Sequence, residues 1–156
     1  VSGDSAGGGL SLGVTLSLKD DGSQLPDAVM SLCPWAELDP VSESYETNAS
    51  NDPYISRDAI SAFRDLYIEN ESDLKDPYAS PVYGDYDGFP PLLIQVGGRE
   101  VLLDDSLKVA EKAKKSGCEV KLEVWDDMVH VFQGYAPFLP EANEALEAIA
   151  KFISNK

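Results

Sequence analysis

The chain has 156 residues, which is enough for one domain with a hydrophobic core. Its formal net charge of −16 argues against nucleic acid and anionic membrane surfaces as partners. No apolar run approaches the roughly 20 residues of a membrane span, and two cysteines, Cys33 and Cys118, are too few for a disulfide framework. One histidine and two distant cysteines suggest no cluster of metal ligands, so we expect neither a metal nor a cofactor.

The chain opens with the pattern Gly-x-Ser-x-Gly, formed by Gly3, Ser5 and Gly7, with Asp4 between the first two. A serine on a sharp strand-to-helix turn has little room around it, which predicts glycine at the flanking positions. The following helix directs free N–H groups toward the hydroxyl, so the N–H of Ala6 can stabilise an oxyanion. A phosphate-binding loop is disfavoured because the stretch lacks the P-loop lysine and the spacing of a dinucleotide fingerprint.

Beyond this turn, the apolar patterns predict strands that alternate with helices. We expect helices over about 6–19, 56–67, 104–116 and 140–153, and strands over 28–33, 91–98 and 119–125. Residues 39–53 are predicted to form a long loop, and 76–91 a turn-rich segment. This order implies a mostly parallel sheet with right-handed crossovers. The strand ends after Val1, Val96 and Trp125 should then meet at one edge, where sites in open α/β sheets lie.

The sequence Gly-Asp-Ser-Ala-Gly-Gly, opening an apolar helix, resembles the nucleophile elbow of the hormone-sensitive-lipase-like branch of the α/β-hydrolases. These are carboxylesterases and lipases that act on short- to medium-chain esters. The likeness runs from Val1 to about Ser154 and covers the C-terminal half of such an enzyme. It implies a single catalytic domain over residues 1–156, with flanking helices and part of a cap in about 39–76. A small-molecule ester is the implied substrate.

The family places a His-Gly-Gly-Gly-type oxyanion loop before the elbow, and this sequence has none. The preceding strands and the N-terminal part of the cap are also missing. We therefore expect the chain to be the C-terminal piece of a longer enzyme, with the N-terminal half on the same or a separate chain. Alone, the piece should be inactive or aggregation-prone. The resemblance leaves a homodimer open.

A serine nucleophile needs a base and an orienting carboxylate. His130 is the one histidine, and the chain order serine, acid, histidine is that of the α/β-hydrolases. Glu100 follows the glycines that end the second strand and is our first choice for the acid, with Asp104 second. Asp104 and Asp105 lie where a helix begins, so we expect them to cap its N–H groups. In the family that the sequence resembles, many members carry aspartate at the position of Glu100.

Two other functions remain open. One is a different serine acyl-transfer enzyme on the same fold, such as a lactonase, amidase or acyltransferase. The other is a noncatalytic hydrolase-like binding domain. The serine and the histidine that such a domain usually loses are both present. Aromatic residues that could line a substrate pocket are Trp35, Tyr54, Phe132 and Tyr135.

Overall fold

The computed structural model describes residues 1–156, which alternate between strands and helices along the chain. Its regular elements are β1 (Ser2–Asp4), α1 (Ala6–Asp20), β2 (Val29–Leu32), α2 (Ser44–Thr47), α3 (Arg57–Tyr67), β3 (Leu92–Gly97), α4 (Leu103–Lys115), β4 (Val120–Trp125) and α5 (Pro140–Ser154). Short 3₁₀ helices cover Glu71–Lys75, Pro81–Tyr83 and Phe132–Tyr135. None of the helices combines the length and apolar character that crossing a bilayer requires.

The four strands form one parallel sheet in the order β1-β2-β3-β4. In the register of the sheet, Gly3 pairs with Ser31 and Ile94 pairs with Leu122. Since all strands run the same way, their carboxyl ends lie at one edge, as predicted. The first strand ends at Asp4 rather than at Val1, so the edge begins directly at the elbow serine. The predicted α/β class, with a parallel sheet and flanking helices, is confirmed.

The core lies on both faces of the sheet because alternate residues of each strand point to opposite sides. On one face, Leu12 and Leu16 of α1 pack with Val109 of α4 against the sheet. On the other face, Phe152 of α5 packs against Leu93 and its neighbours in the sheet. The two layers hold the strands rigidly, so the loops at the carboxyl edge start from fixed positions.

Two local predictions were wrong. The predicted loop over 39–53 contains the one-turn helix α2, in which Tyr45 is buried. The aspartates at the start of α4 do not cap it, because the N-cap residue is Leu102 and neither aspartate carboxylate accepts a hydrogen bond from an N–H group of α4. Both carboxylates reach instead to backbone N–H groups in other segments, and their partners belong to the site described next.

Candidate active site

The elbow serine lies between β1 and α1 with its backbone in a left-handed conformation, at φ 53° and ψ −123°. Its N–H donates to Leu32 O at 2.9 Å, which anchors the turn to β2. A Cβ added at Gly3 would lie 2.3 Å from the carbonyl oxygen of Gly7, so glycine is required at the first position. At Gly7 an added Cβ would meet nothing within 4 Å, so the predicted steric need for glycine at that position was wrong.

Ser5, His130 and Glu100 lie together at the carboxyl edge of the sheet. The Nε2 atom of His130 is 2.8 Å from Ser5 Oγ, and its Nδ1 atom is 2.6 Å from Glu100 Oε2. Glu100 is fully buried, and its second carboxylate oxygen accepts the Gly97 N–H at 2.6 Å. An ionised carboxylate can only accept, so Nδ1–H donates to Glu100 and Nε2 is free to accept the serine proton.

The second-choice acid, Asp104, is engaged elsewhere. Its Oδ2 accepts the N–H of Ser44 at 2.8 Å, and it is not a hydrogen-bond partner of His130. Asp105 is fully buried, and its Oδ2 accepts the N–H groups of Ala36 and Glu37 at 2.8 and 2.9 Å. Burial raises the pKa of Asp105 to about 8. Of the three candidate carboxylates, the geometry brings Glu100 alone to the histidine.

The N–H group proposed for the oxyanion belongs to Ala6, the first residue of α1. The first N–H groups of an α-helix have no acceptor within the helix, and the helix dipole makes this end favourable for negative charge. The backbone carbonyl of Ser5 accepts from Gly9 and from Trp35, at 3.1 and 3.0 Å. The elbow is thereby tied both to its helix and to the loop that follows β2.

Cys33 is part of the site, although its sequence environment indicated only a buried apolar residue. It is fully buried as predicted, but it also has a left-handed backbone, with φ 48°. Its Sγ accepts the N–H of Val131 at 3.3 Å, and Val131 itself has φ 50°. Burial raises the pKa of the Cys33 thiol well above its usual range, which keeps the thiol neutral. It therefore supports the loop that carries the histidine.

Candidate ligand atoms of Cys33, Glu100 and His130 all lie within 4.8 Å of one another, a grouping of donors that we did not expect from the sequence. Thiolate, carboxylate and imidazole are all ligands for Zn²⁺. Here the His130 Nδ1 and the Glu100 carboxylate are hydrogen-bonded directly. The neutral thiol is also a poor metal ligand, because thiolate is the form that binds. The arrangement therefore fits an imidazole–carboxylate pair better than a metal centre.

An apolar cleft of about 200 Å³ begins beside the elbow. Its lining residues come from α1, the loop after β2, the end of α3 and the following turn: Ala6, Gly7, Gly9, Leu10, Trp35, Leu38, Tyr67, Tyr78 and Ala79. Of the four aromatic residues considered from the sequence, Trp35 alone lines this cleft. Phe132 is buried in the core under α5, whereas the hydroxyl groups of Tyr54 and Tyr135 contact each other at the surface.

Comparison with known proteins gives consistent relatives. The sequence profile of the alpha/beta hydrolase fold family matches residues 1–134. An acetyl-hydrolase of Streptomyces hygroscopicus is 38% identical over 153 residues, which are 98% of this chain and 51% of that protein. An esterase of Acinetobacter venetianus is 36% identical over 155 residues, 99% of this chain and 51% of the esterase. The chain thus spans about half the length of the curated relatives it matches.

Solved structures agree with these relatives. The crystal structure of an esterase/lipase from an uncultured bacterium superposes with a TM-score of 0.93 at 44% identity, covering 99% of this chain and 51% of that one. A hormone-sensitive lipase from a metagenome library gives a TM-score of 0.94 at 40% identity, covering 99% of this chain and 53% of that one. The elbow sequence, the parallel sheet and both comparisons agree, and the chain belongs to the hormone-sensitive-lipase-like branch of the α/β-hydrolase family.

Proposed function

We propose that the chain carries the catalytic triad of a serine carboxylic-ester hydrolase, with Ser5 as nucleophile, His130 as base and Glu100 as acid. The hydrogen-bonded series from the Ser5 hydroxyl through both imidazole nitrogens to the buried carboxylate is the observation that carries this proposal. Such a series is how a weak hydroxyl nucleophile is activated. The relatives are about twice as long, so the enzyme we propose includes a counterpart of the rest of their length.

In the proposed reaction, Ser5 Oγ forms a bond to the ester carbonyl carbon while its proton passes to His130 Nε2. The carbonyl oxygen becomes an oxyanion and accepts the N–H of Ala6. The bond from carbon to the alcohol oxygen then breaks, and that oxygen takes the proton from Nε2. Water repeats the sequence on the acyl-enzyme and releases the acid. Glu100 stabilises the imidazolium in both halves and keeps its Nδ1 proton in place.

The apolar cleft beside Ala6 supports a short to medium acyl chain as the preferred substrate. Seven of its nine lining residues are hydrophobic, so it favours hydrocarbon over a charged group. Its volume of about 200 Å³ is below the roughly 300–1,000 Å³ of sites for drug-sized ligands. The names of the relatives, acetyl-hydrolase and esterase, agree with this choice.

We also propose that the segment 39–76 is part of a cap over the site, within one catalytic domain. It contains α2, α3 and the 3₁₀ helix Glu71–Lys75, and it supplies Tyr67 to the cleft. One face of α3 exposes Phe63 and Leu66 as well, at 55% and 86%. Exposed apolar side chains on one element are typical of a surface that binds an apolar ligand or another segment.

A serine-directed organophosphate and a Ser5→Ala variant, both used with the longer enzyme that we propose, test the nucleophile. We expect the probe to label the protein once, at Ser5, and the variant to lose ester hydrolysis by about 10⁴-fold or more, as when a triad serine is removed. Ser2→Ala is the matched control, since Ser2 is an exposed serine of β1, the strand that leads into the elbow. Labelling or hydrolysis that persists in Ser5→Ala would reject the proposal.

Two further comparisons separate the alternatives. Replacing Glu100 by Gln should reduce kcat by on the order of 10² to 10⁴, whereas Asp104→Asn should have a much smaller effect. The reverse order would make Asp104 the acid. A panel of p-nitrophenyl esters, lactones and amides distinguishes an esterase from a lactonase or amidase. A noncatalytic binding domain predicts no labelling by the organophosphate at all.

A further inference from the structure

Side chains from α2 and from the residues that follow it contact the backbone on both sides of Glu100. The Nδ2 group of Asn48 donates to the carbonyl oxygens of Gly98 and Glu100, at 3.1 and 2.8 Å. These two carbonyls bracket Arg99 in the loop between β3 and α4. We propose that Asn48 is a positioning residue for the catalytic acid, and that it acts by fixing this loop. The inference rests on the proposed function, because it presumes that Glu100 is the acid.

The following part of the loop is held from the same segment. Asp52 Oδ2 accepts the N–H of Val101 at 3.0 Å, and Ser44 Oγ donates to the carbonyl oxygen of Val101 at 2.6 Å. The backbone from Gly98 to Val101 therefore has side-chain partners at three of its four residues. We call this set of three side chains, Ser44, Asn48 and Asp52, the acid-loop clamp.

The clamp is itself rigidly placed. The backbone carbonyl of Asn48 accepts the N–H groups of Asn51 and Asp52, at 2.9 and 3.0 Å, so the chain turns sharply after α2. At the other end of α2, the N–H of Ser44 donates to Asp104 Oδ2, and Asp104 N–H donates back to Ser44 Oγ at 3.2 Å. Asp104 thus secures α2 against the start of α4. A fixed donor is what a positioning role needs.

The length of the glutamate side chain gives such support a physical role. Glutamate has one more rotatable bond than aspartate, so more side-chain freedom is lost when its carboxylate is held at one place. The carboxylate has two fixed contacts, the Gly97 N–H and His130 Nδ1. The carboxylate keeps both hydrogen bonds only while the backbone at Glu100 keeps its position. The N–H of Glu100 donates to Gly97 O at 3.3 Å, and those of Gly98 and Arg99 donate to Trp125 O and Met128 O at 2.8 and 3.2 Å. The clamp adds side-chain contacts to a loop that these backbone hydrogen bonds already restrain.

The test is a double-mutant cycle in the longer enzyme that we propose, using Asn48→Ala and Glu100→Gln. We expect Asn48→Ala to lower kcat by about 10- to 100-fold with little change in KM, because a small displacement of a catalytic group has effects of this size. In the Glu100→Gln background, Asn48→Ala should have almost no further effect on kcat. Asn155→Ala is the matched control, since Asn155 is an exposed amide at the end of α5.

A second measurement needs no substrate. His130 is the one histidine of the chain, so its Nδ1 proton gives one low-field proton resonance if it is held in a short hydrogen bond to Glu100. We expect that resonance to persist in Asn155→Ala and to broaden or move upfield in Asn48→Ala. Asn48→Ser keeps one donor and should lie between them. It also replaces Asn48→Ala in both experiments if the alanine variant does not fold.

The outcomes are distinguishable. If Glu100→Gln loses activity but Asn48→Ala retains it, the positioning role is wrong and the proposed triad stands. If Asn48→Ala lowers kcat by the same factor in both backgrounds, Asn48 acts on general structure and the inference is also wrong. If Glu100→Gln remains fully active, the proposed acid fails and the inference fails with it.

Discussion

Asp105 should make the stability of the fold fall as pH rises through neutrality. Its carboxyl is fully buried at the start of α4, and Oδ2 accepts two backbone N–H groups while Oδ1 has no partner. Burial is the main cause that raises its pKa to about 8. The hydrogen bonds from the N–H groups of Ala36 and Glu37 oppose the rise, the charge of Glu37 adds to it, and Lys108 opposes it less strongly. In the unfolded chain an aspartate titrates near a pKa of about 3.9.

The sign follows from which state holds the proton. Below about pH 4 both states are protonated, and the contribution of Asp105 to stability is fully present. Between about pH 4 and 8 the unfolded chain releases this proton while the folded protein keeps it, so stability falls by about 1.4 kcal/mol per pH unit. From about pH 5 to 7 the loss is therefore about 3 kcal/mol, and above about pH 8 it levels off.

Asp105→Asn isolates this effect from the other acidic residues. The amide keeps the size of the side chain and an oxygen for the N–H groups of Ala36 and Glu37, but it does not titrate in this range. The assay is urea unfolding followed by the fluorescence of Trp35 and Trp125 at several pH values between about 5 and 9. We expect the stability of the natural chain, relative to the variant, to fall with pH and then become constant. The reasoning would be refuted if the stability of the natural chain relative to the variant were independent of pH, or if it rose with pH.

Two other predictions concern packing and thiol chemistry. Gly9→Ala should lower the free energy of unfolding by about 1–3 kcal/mol, because its Cβ would lie 2.0 Å from Trp35 O, whereas Gly7→Ala should be nearly neutral. The urea midpoints of the two variants measure the difference. Equal midpoints would contradict the close approach of Gly9 to the Trp35 carbonyl oxygen. Burial raises the pKa of the Cys118 thiol to about 11, so iodoacetamide should modify Cys118 faster at high pH. Cys33 is buried and should not react until urea is added. Mass spectrometry counts the adducts on each cysteine. Modification of Cys33 in the absence of urea would contradict its burial in the fold.

The parts of the site that could be predicted are those that a short sequence pattern or the residue type alone indicates. Ser5 lies in a turn whose glycine pattern has a steric cause, and His130 is the one imidazole in the chain. Glu100 follows a buried strand that ends in two glycines, and parallel strands bring their carboxyl ends together. The structure places the side chains of these three residues within hydrogen-bond distance, and their catalytic roles remain predictions.

The parts that could not be predicted depend on contacts between segments distant in the chain. Helix α2 forms in a polar stretch because the Ser44 N–H donates to Asp104 and because Tyr45 is buried. The groups that contact these two residues are distant in the sequence, so no local pattern indicates the helix. Asp104 and Asp105 have the ordinary appearance of helix caps, yet their carboxylate oxygens accept N–H groups of α2 and of the loop after β2. Cys33 has an apolar sequence environment, and its hydrogen bond from Val131 exists only in the folded chain.

The three residues other than glycine with positive φ, Ser5, Cys33 and Val131, all lie at the carboxyl edge of the sheet around the proposed triad. Each such conformation costs on the order of 1–3 kcal/mol in a residue with a side chain, and the β-branched Val131 is an outlier among them. The least comfortable backbone of the molecule is therefore concentrated where we place the chemistry. Substitutions that relieve the backbone strain at these three positions could raise thermal stability but would be expected to lower the catalytic rate. Thermostabilising substitutions are therefore better sought in the helices that cover the sheet.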